Sequence, residues 1–397
     1  MAQIFQNVRA ILPDGVRDVS VRIEAGVITA LDGPTDGAEV IEGQGRILAP
    51  AMVDIHGDAF ERQVMPRPNV FFPLDGAVLD TDRQLATNGI TTAYHAVTLS
   101  WETGLRSVDQ GTAFAAALER LAPRLTVDNR MQLRWETFCF EALPLIDSRL
   151  SKGDALAFND HTSMIMIVPN TPLQTRPFEL DDSFPICTPD DPRFIAKMRK
   201  RSERVGMSAE ALRDRILDIY ARRPDVPAMI ARIAEMGRAV GAPMLSHDDS
   251  QIVARDYFRD LGARISEFPM NDVVAQSARD NSDWIVFGAP NAARGGSHLG
   301  SPSAIDMFDR GLCDILASDY FYPAMLAAVA RMVAGGRDLA QVWKLVSTNP
   351  ARASHLSDRG EIAVGQRADL VLIDWPDGQT PAPVMTVCGG RTVYQAG

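Results

Sequence analysis

Ile47-Leu48-Ala49-Pro50-Ala51-Met52-Val53-Asp54-Ile55-His56-Gly57-Asp58 is an apolar run that stops on a histidine and, two positions later, an aspartate. Residues i and i+2 of an extended strand project to the same side, so His56 and Asp58 can converge on one ion beyond the strand end. Imidazole nitrogen with carboxylate oxygen suits a divalent cation such as Zn, Mn or Fe, and Gly57 between them lets the backbone come close. A lone His-x-Asp is a common loop detail, so its meaning depends on what ends the other strands.

From this stretch onward short apolar strands alternate with helical periods. Strands are expected over 48–55, 89–97, 131–138, 155–159, 242–246, 264–268, 284–288 and 314–318. Between them, 227–240 reads as a helix with Met229, Ile230, Ile233, Met236 and Val240 on one face and Asp225 placed to cap it. Eight strands alternating with helices predict the α/β class and a (β/α)8 barrel over 51–355, with a doubly wound sheet as the alternative. The 162–223 interval is too long for a plain connection. It carries Pro169, Pro172, Pro177, Pro185, Pro189 and Pro192 and a helix starting near Ser208, and such an insertion is expected to cover an active site.

Ahead of the barrel, 4–12, 19–23, 26–31 and 40–47 read as strands, with a turn at Pro13-Asp14-Gly15. The tail beyond Gly360 has the same glycine turns and β-rich runs. Residues 1–50 and 356–397 are therefore expected to build one small β-sandwich together.

Composition narrows the function. The 397 residues carry a formal net charge of -11, which argues against nucleic acid or an anionic membrane as partner, because counterion release needs a basic surface. An anionic small molecule would have to be held locally. No apolar run approaches membrane-spanning length and no secretory leader precedes the first strand, so the expected location is the cytoplasm; homo-oligomerisation stays open. Cys139, Cys187, Cys313 and Cys388 lie far apart, without a Cys-x-x-Cys, and read as isolated thiols.

The active site of a (β/α)8 barrel lies at the C-terminal ends of its strands. Strand one ends in His56-Gly57-Asp58, strand three carries Glu136, strand four ends in Asn159-Asp160-His161, strand five in Ser246-His247-Asp248-Asp249, and strand eight in Ser318-Asp319-Tyr320. Together they would bring three of the six histidines and three carboxylates to one mouth, a coincidence far more informative than any one motif. His95 reads as a core or hydrogen-bonded histidine, and His355 as a surface residue outside the mouth.

This pattern resembles the amidohydrolase superfamily. The tail Gly365-Gln366-Arg367-Ala368-Asp369-Leu370-Val371-Leu372 and the segment Ser347-Thr348-Asn349-Pro350-Ala351 are similar to that superfamily's usual ending. Within it the chain is similar, over nearly its whole length, to the phosphonate-metabolism branch. The carrying segments include Met65-Pro66-Arg67-Pro68-Asn69-Val70, Ser246-His247-Asp248-Asp249, Glu267-Phe268-Pro269 and Gly288-Ala289-Pro290-Asn291. The resemblance implies a barrel holding two divalent ions, with His56, Asp58, Glu136, His161, His247 and Asp319 as ligands and Asp319 also the catalytic proton acceptor. Many members bridge their ions with a carbamylated lysine. Lys152, Lys197, Lys200 and Lys344 all miss the strand ends, so Glu136 is expected to bridge, with His56 and Asp58 on one ion and His161 and His247 on the other.

The reaction implied is hydrolysis of a triphosphate with diphosphate leaving. Charge builds on oxygens in such a step, which calls for arginines and backbone amides. Arg294-Gly295-Gly296-Ser297-His298 combines a guanidinium with glycines able to expose N–H groups, and Arg67 stands between two prolines on the loop after strand one; Arg67, Arg294, Gly295, Gly296 and His298 are the expected substrate contacts. The basic run Arg193, Lys197, Arg199, Lys200, Arg201 and Arg204 reads more simply as a solvated helix face. One departure from the branch stands beside the ligands, Ala59-Phe60-Glu61-Arg62-Gln63. The competing reading is a C–N hydrolase using the same metals on an amide, told apart by its product.

Overall fold

The computed structural model describes residues 2–297 and 300–396. Strands β1 (Ala2–Leu12), β2 (Gly15–Asp18), β3 (Val21–Glu24), β4 (Val27–Leu31) and β5 (Ala38–Pro50) precede eight barrel strands: β6 (Met52–Gly57), β7 (Ile90–Leu99), β8 (Asp128–Glu136), β9 (Ala155–Asn159), β10 (Met244–His247), β11 (Ile265–Glu267), β12 (Trp284–Gly288) and β13 (Ile315–Ala317). The tail adds β14 (Leu370–Asp374), β15 (Ala382–Cys388) and β16 (Arg391–Gln395).

The outer sheet runs β16-β15-β14-β5-β1-β3-β4, with β2 on β1. It is mixed, since β1 and β5 are parallel while its other pairs are antiparallel. The tail returns to its far edge, where Ile28 N donates to Gln366 O at 2.8 Å and Gly365 N to Ile28 O at 2.9 Å. Phe5, Val21, Ile28, Leu48, Leu370 and Val387 then share one core, so both chain ends build a single sandwich-like unit.

Two expected strands differ in detail. The one over 48–55 is two strands: residues 48–50 pair with β14, the chain turns at Ala51, and Met52 opens the barrel. The strand expected over 19–23 starts at Val21, because residues 15–18 return along β1 as a hairpin. Asp225 does not cap the helix Val226–Ala239 through its side chain. The single turn Arg223–Asp225 before it holds Asp225 at φ -92° and ψ -13°, whereas a capping side chain needs extended backbone.

The eight inner strands are parallel neighbours in chain order. The ring closes between last and first: Asp319 N donates to His56 O and Asp58 N to Asp319 O, each at 2.9 Å, and Ser318 N donates to Asp54 Oδ1 at 2.9 Å. Val53, Tyr94, Ala157, Leu245, Ile265 and Ile315 form one buried cluster, and because they come from six of the eight strands around the ring that cluster fills the barrel. The insertion after β9 contains the helices Pro192–Val205 and Ala209–Tyr220, the second capped by Ser208. Lys197 Nζ ties the first to Met164 O and Ile165 O at 2.8 and 2.9 Å, and Arg215 Nη2 ties the second to Trp101 O at 3.0 Å. Among the described residues no helix is long and apolar enough to cross a membrane.

Candidate active site

Strand alternation decides which side chains reach the mouth. On β8, Leu133 and Trp135 join the core between strands and helices, which leaves Arg134 and Glu136 for the inner side. The turns that end β10, β11 and β13 hold Asp248, Phe268 and Asp319 at φ 59°, 56° and 54°. Non-glycine residues in this left-handed region cost about 1 kcal/mol or more each and persist where the surroundings fix them, commonly at active sites.

His56, His247 and Glu267 place ligand-capable atoms within 4.8 Å of one another, and so do His56, Asp58 and Asp319. Since His56 is common to both sets, the two groups adjoin at His56, with side chains drawn from β6, β10, β11 and β13 or their ends. His56 Nδ1 lies 3.0 Å from Glu267 Oε1 and His247 Nε2 3.8 Å from Glu267 Oε2. None of these imidazole nitrogens has an aligned hydrogen bond: His56 Nδ1, both His247 nitrogens and Glu267 Oε2 are buried without one. Buried polar groups are normally hydrogen-bonded, and convergent imidazole and carboxylate atoms that face one another without aligned hydrogen bonds are a donor set that fits a divalent cation. Phe268 lies edge-on to both rings, 5.0 and 5.3 Å between centroids, and fixes their planes.

The electrostatics of the cluster follow from crowding. Burial works against a charged His56, yet Glu267 beside it carries the pKa up to about 9. Burial and then Arg134 lower that of His247. Glu267 is held down by His56 in spite of burial. Burial and the neighbouring Asp58 push Asp319 up to about 6.

Glu136 and His161 stand apart from this group. Glu136 Oε2 accepts from His161 N at 2.9 Å, its Oε1 lies 2.7 Å from His161 Nδ1, and Asn159 Nδ2 donates to the same oxygen. The expected six ligands thus divide into His56, Asp58, His247 and Asp319, joined by Glu267, and the pair Glu136 and His161. Glu136 does not stand between His56 and His247, because the short turn after β9 swings His161 back over its carboxylate.

A cavity of about 580 Å³ opens above the cluster, a size suited to a small-molecule ligand. Arg106, Arg134, Arg176 and Arg294 line it, and Leu173 and Arg176 bring the insertion to its wall. Arg106 is gripped by Glu61 at 2.9 and 3.0 Å, so the segment that departs from the branch sets one wall of the cavity. Arg176 donates to Glu179 Oε1 at 2.8 Å and to Asp248 O at 2.7 Å.

The glycine pair does not form an anion nest. Gly295 N and Gly296 N both donate to Asn291 O, at 3.1 and 2.9 Å, closing the helix Ala289–Arg294, and a side chain at 295 would collide with Arg331. Arg294 remains as an exposed cavity residue. Arg67 is exposed on its loop and away from the cavity lining, and His298 lies outside the described residues. His95 is buried against Phe60 and Phe114 with Nε2 2.8 Å from Asn129 Oδ1, and His355 is exposed, as expected of both. Of the basic run, Arg193 pairs with Asp191 and Arg201 with Glu102, and Arg199 and Lys200 are exposed.

Comparison with known proteins agrees with this architecture. Residues 171–394 match the description of the amidohydrolase family. The chain is 30% identical over 385 residues to alpha-D-ribose 1-methylphosphonate 5-triphosphate diphosphatase of Escherichia coli K12, covering 93% of this chain and 94% of that one. An adenine deaminase of Methylobacterium nodulans is 26% identical over 93% of this chain but only 54% of its own length. Phenylurea hydrolase B shares the fold, with a TM-score of 0.64 at 14% identity over 99% of this chain and 97% of that chain. A family match across more than half the sequence, and a relative aligned along nearly the full length of both chains, give the same answer as the barrel and its mouth: the chain belongs to the amidohydrolase family.

Proposed function

We propose that this metal-dependent hydrolase cleaves a phosphoanhydride, taking alpha-D-ribose 1-methylphosphonate 5-triphosphate or a related triphosphate and releasing diphosphate. The observation that carries the reading is the full-length relationship to a diphosphatase of that substrate, in a chain whose metal-competent mouth opens on an arginine-lined cavity. His56, Asp58, His247, Glu267 and Asp319 would hold one divalent ion, Zn, Mn or Fe, and Glu136 with His161 is the set for a second. A bound ion supplies Lewis-acid activation. The chain supplies the rest: Asp319 takes up and passes on the proton, Arg176 and Arg294 orient the anionic end of the substrate, and Phe268 and Met270 exclude water from the reacting face.

The adenine deaminase relationship favours the second reading, hydrolysis of a C–N bond. Phosphorus NMR of Mn- or Zn-loaded protein turning over a ribose triphosphate separates the two. One diphosphate per substrate is the expected result. Release of monophosphate, or no phosphorus product while ammonia or a carboxylate is released from a nitrogen substrate, overturns it.

A further inference from the structure

Five arginines of the described structure are buried: Arg134, Arg149, Arg176, Arg255 and Arg359. Four are held by partners. Arg149 lies 2.6 Å from Asp154 and 2.8 Å from Glu119, Arg176 is held by Glu179 and Asp248 O, Arg255 by Asp249, Asp283 and backbone carbonyls, and Arg359 by Asp128, Asp358 and Thr92. Arg134 is the exception. It is 7% exposed, yet among the described residues no carboxylate lies within 4 Å of it, none of its N–H groups is hydrogen-bonded, and its Nε is fully enclosed without a partner.

A buried, unshared guanidinium is costly, so its place needs a reason. Arg134 lies on β8 two positions before Glu136 and lines the cavity with His56, Asp58, His247 and Asp319. Its charge is felt by His56, Glu136, His247, Glu267 and Asp319, but those carboxylates and imidazoles are drawn to one another rather than to it. An ion pair with any of those carboxylates would occupy an oxygen that a cation could use; keeping clear leaves both the carboxylates and the guanidinium available.

We propose that Arg134 is the substrate's anion receptor at the reacting centre, its guanidinium reserved for a phosphoryl oxygen beside the ligand cluster. The proposal rests on the phosphoanhydride reading. The planar guanidinium presents paired N–H groups that match two oxygens of a phosphoryl group. A neutral amide or amidine would give it no partner. Arg134 thereby becomes a specificity determinant that favours phosphorus oxyanions over C–N substrates on the same metals.

The test uses the full chain loaded with Mn, as wild type, Arg134→Lys, Arg134→Gln and Arg134→Ala. Metal content, calorimetric binding of inorganic phosphate, and triphosphate turnover with and without added guanidinium are measured. In Arg134→Gln, metal content should match wild type while phosphate affinity falls about 10- to 100-fold, the worth of a charged hydrogen bond, and kcat falls by about 10²-fold or more. Arg134→Lys should fall between, and free guanidinium should restore part of the turnover of Arg134→Ala. Unchanged phosphate affinity in Arg134→Gln, or loss of metal with no rescue by guanidinium, overturns the proposal and makes Arg134 a neutraliser of the carboxylates. Should wild type itself neither bind phosphate nor hydrolyse a triphosphate, the phosphoanhydride reading falls and the proposal with it.

Discussion

The two ends of the barrel treat polar groups in opposite ways. At the N-terminal end, Asp82 is fully buried and accepts from Thr126 N, Val127 N and Asn129 Nδ2 at 3.0, 3.1 and 2.8 Å. Asp154 accepts from Met131 N and Arg149 Nε at 2.8 and 2.6 Å. At the C-terminal end, His56 Nδ1, both His247 nitrogens, Glu267 Oε2 and Arg134 Nε are buried without hydrogen bonds. One strand spans the contrast, since β8 starts among the satisfied carboxylates and ends beside the unsatisfied ones. Bonds completed within the chain stabilise the fold, while bonds withheld are available to something that is not chain.

If that division holds, substitutions at the two ends should fail in different measurements. Glu267→Gln should lower kcat/KM by about 10³-fold, roughly 4 kcal/mol of transition-state stabilisation, and reduce bound metal, while the metal-free protein melts no lower than wild type because a buried charge has gone. Elemental analysis and calorimetry check it, and full metal content in the variant would break the comparison. Asp82→Ala should do the reverse. It strands several buried donors and should cost about 3 kcal/mol in urea unfolding, with metal content and kcat unchanged.

The smallest effect concerns Asp128, at the base of β8. Burial alone would raise its pKa, but Arg130 and Arg359 hold it below the ordinary carboxylate value. A depressed folded-state pKa gives stability that is present above the unfolded value, about 4, and lost as pH falls through the folded one. The stability advantage of wild type over Asp128→Asn should therefore be constant near neutrality and shrink below about pH 4, as denaturant titrations across that range would show. An advantage that grows with acid would remove Asp128 from the satisfied set.

All eight barrel strands were legible in the sequence, because each is a short apolar run bounded by turn residues or a helical period. His56, Asp58, His247 and Asp319 were legible as well, standing at strand ends where polar residues interrupt apolar ones. Glu267 was not. It closes β11 directly before Phe268, and in sequence Glu267-Phe268-Pro269 looks like a packing signature; only the left-handed turn at Phe268 reveals that the carboxylate meets His56. Arg134 could have been found from alternation alone, as it shares a side of β8 with Glu136, but strand-end reasoning looks two positions too late. The contacts that hold Glu136 to His161 and close the glycine pair onto Asn291 went unread for a common reason: hydrogen bonds to near neighbours are invisible to a reading of residue types.

Closure of the barrel has a consequence for how the protein matures. The seam joins Asp54 to Ser318, 264 positions apart, and the proposed ligands His56, Asp58 and Asp319 straddle it. Contacts of such separation carry the largest loop-closure entropy and tend to form late. A partly folded or truncated chain would thus hold its histidines and carboxylates scattered, with little affinity for a cation, and the assembled donor set would arise only as the ring shuts. A cation taken up by that donor set would then report a completed chain, and would link the last strand to the first.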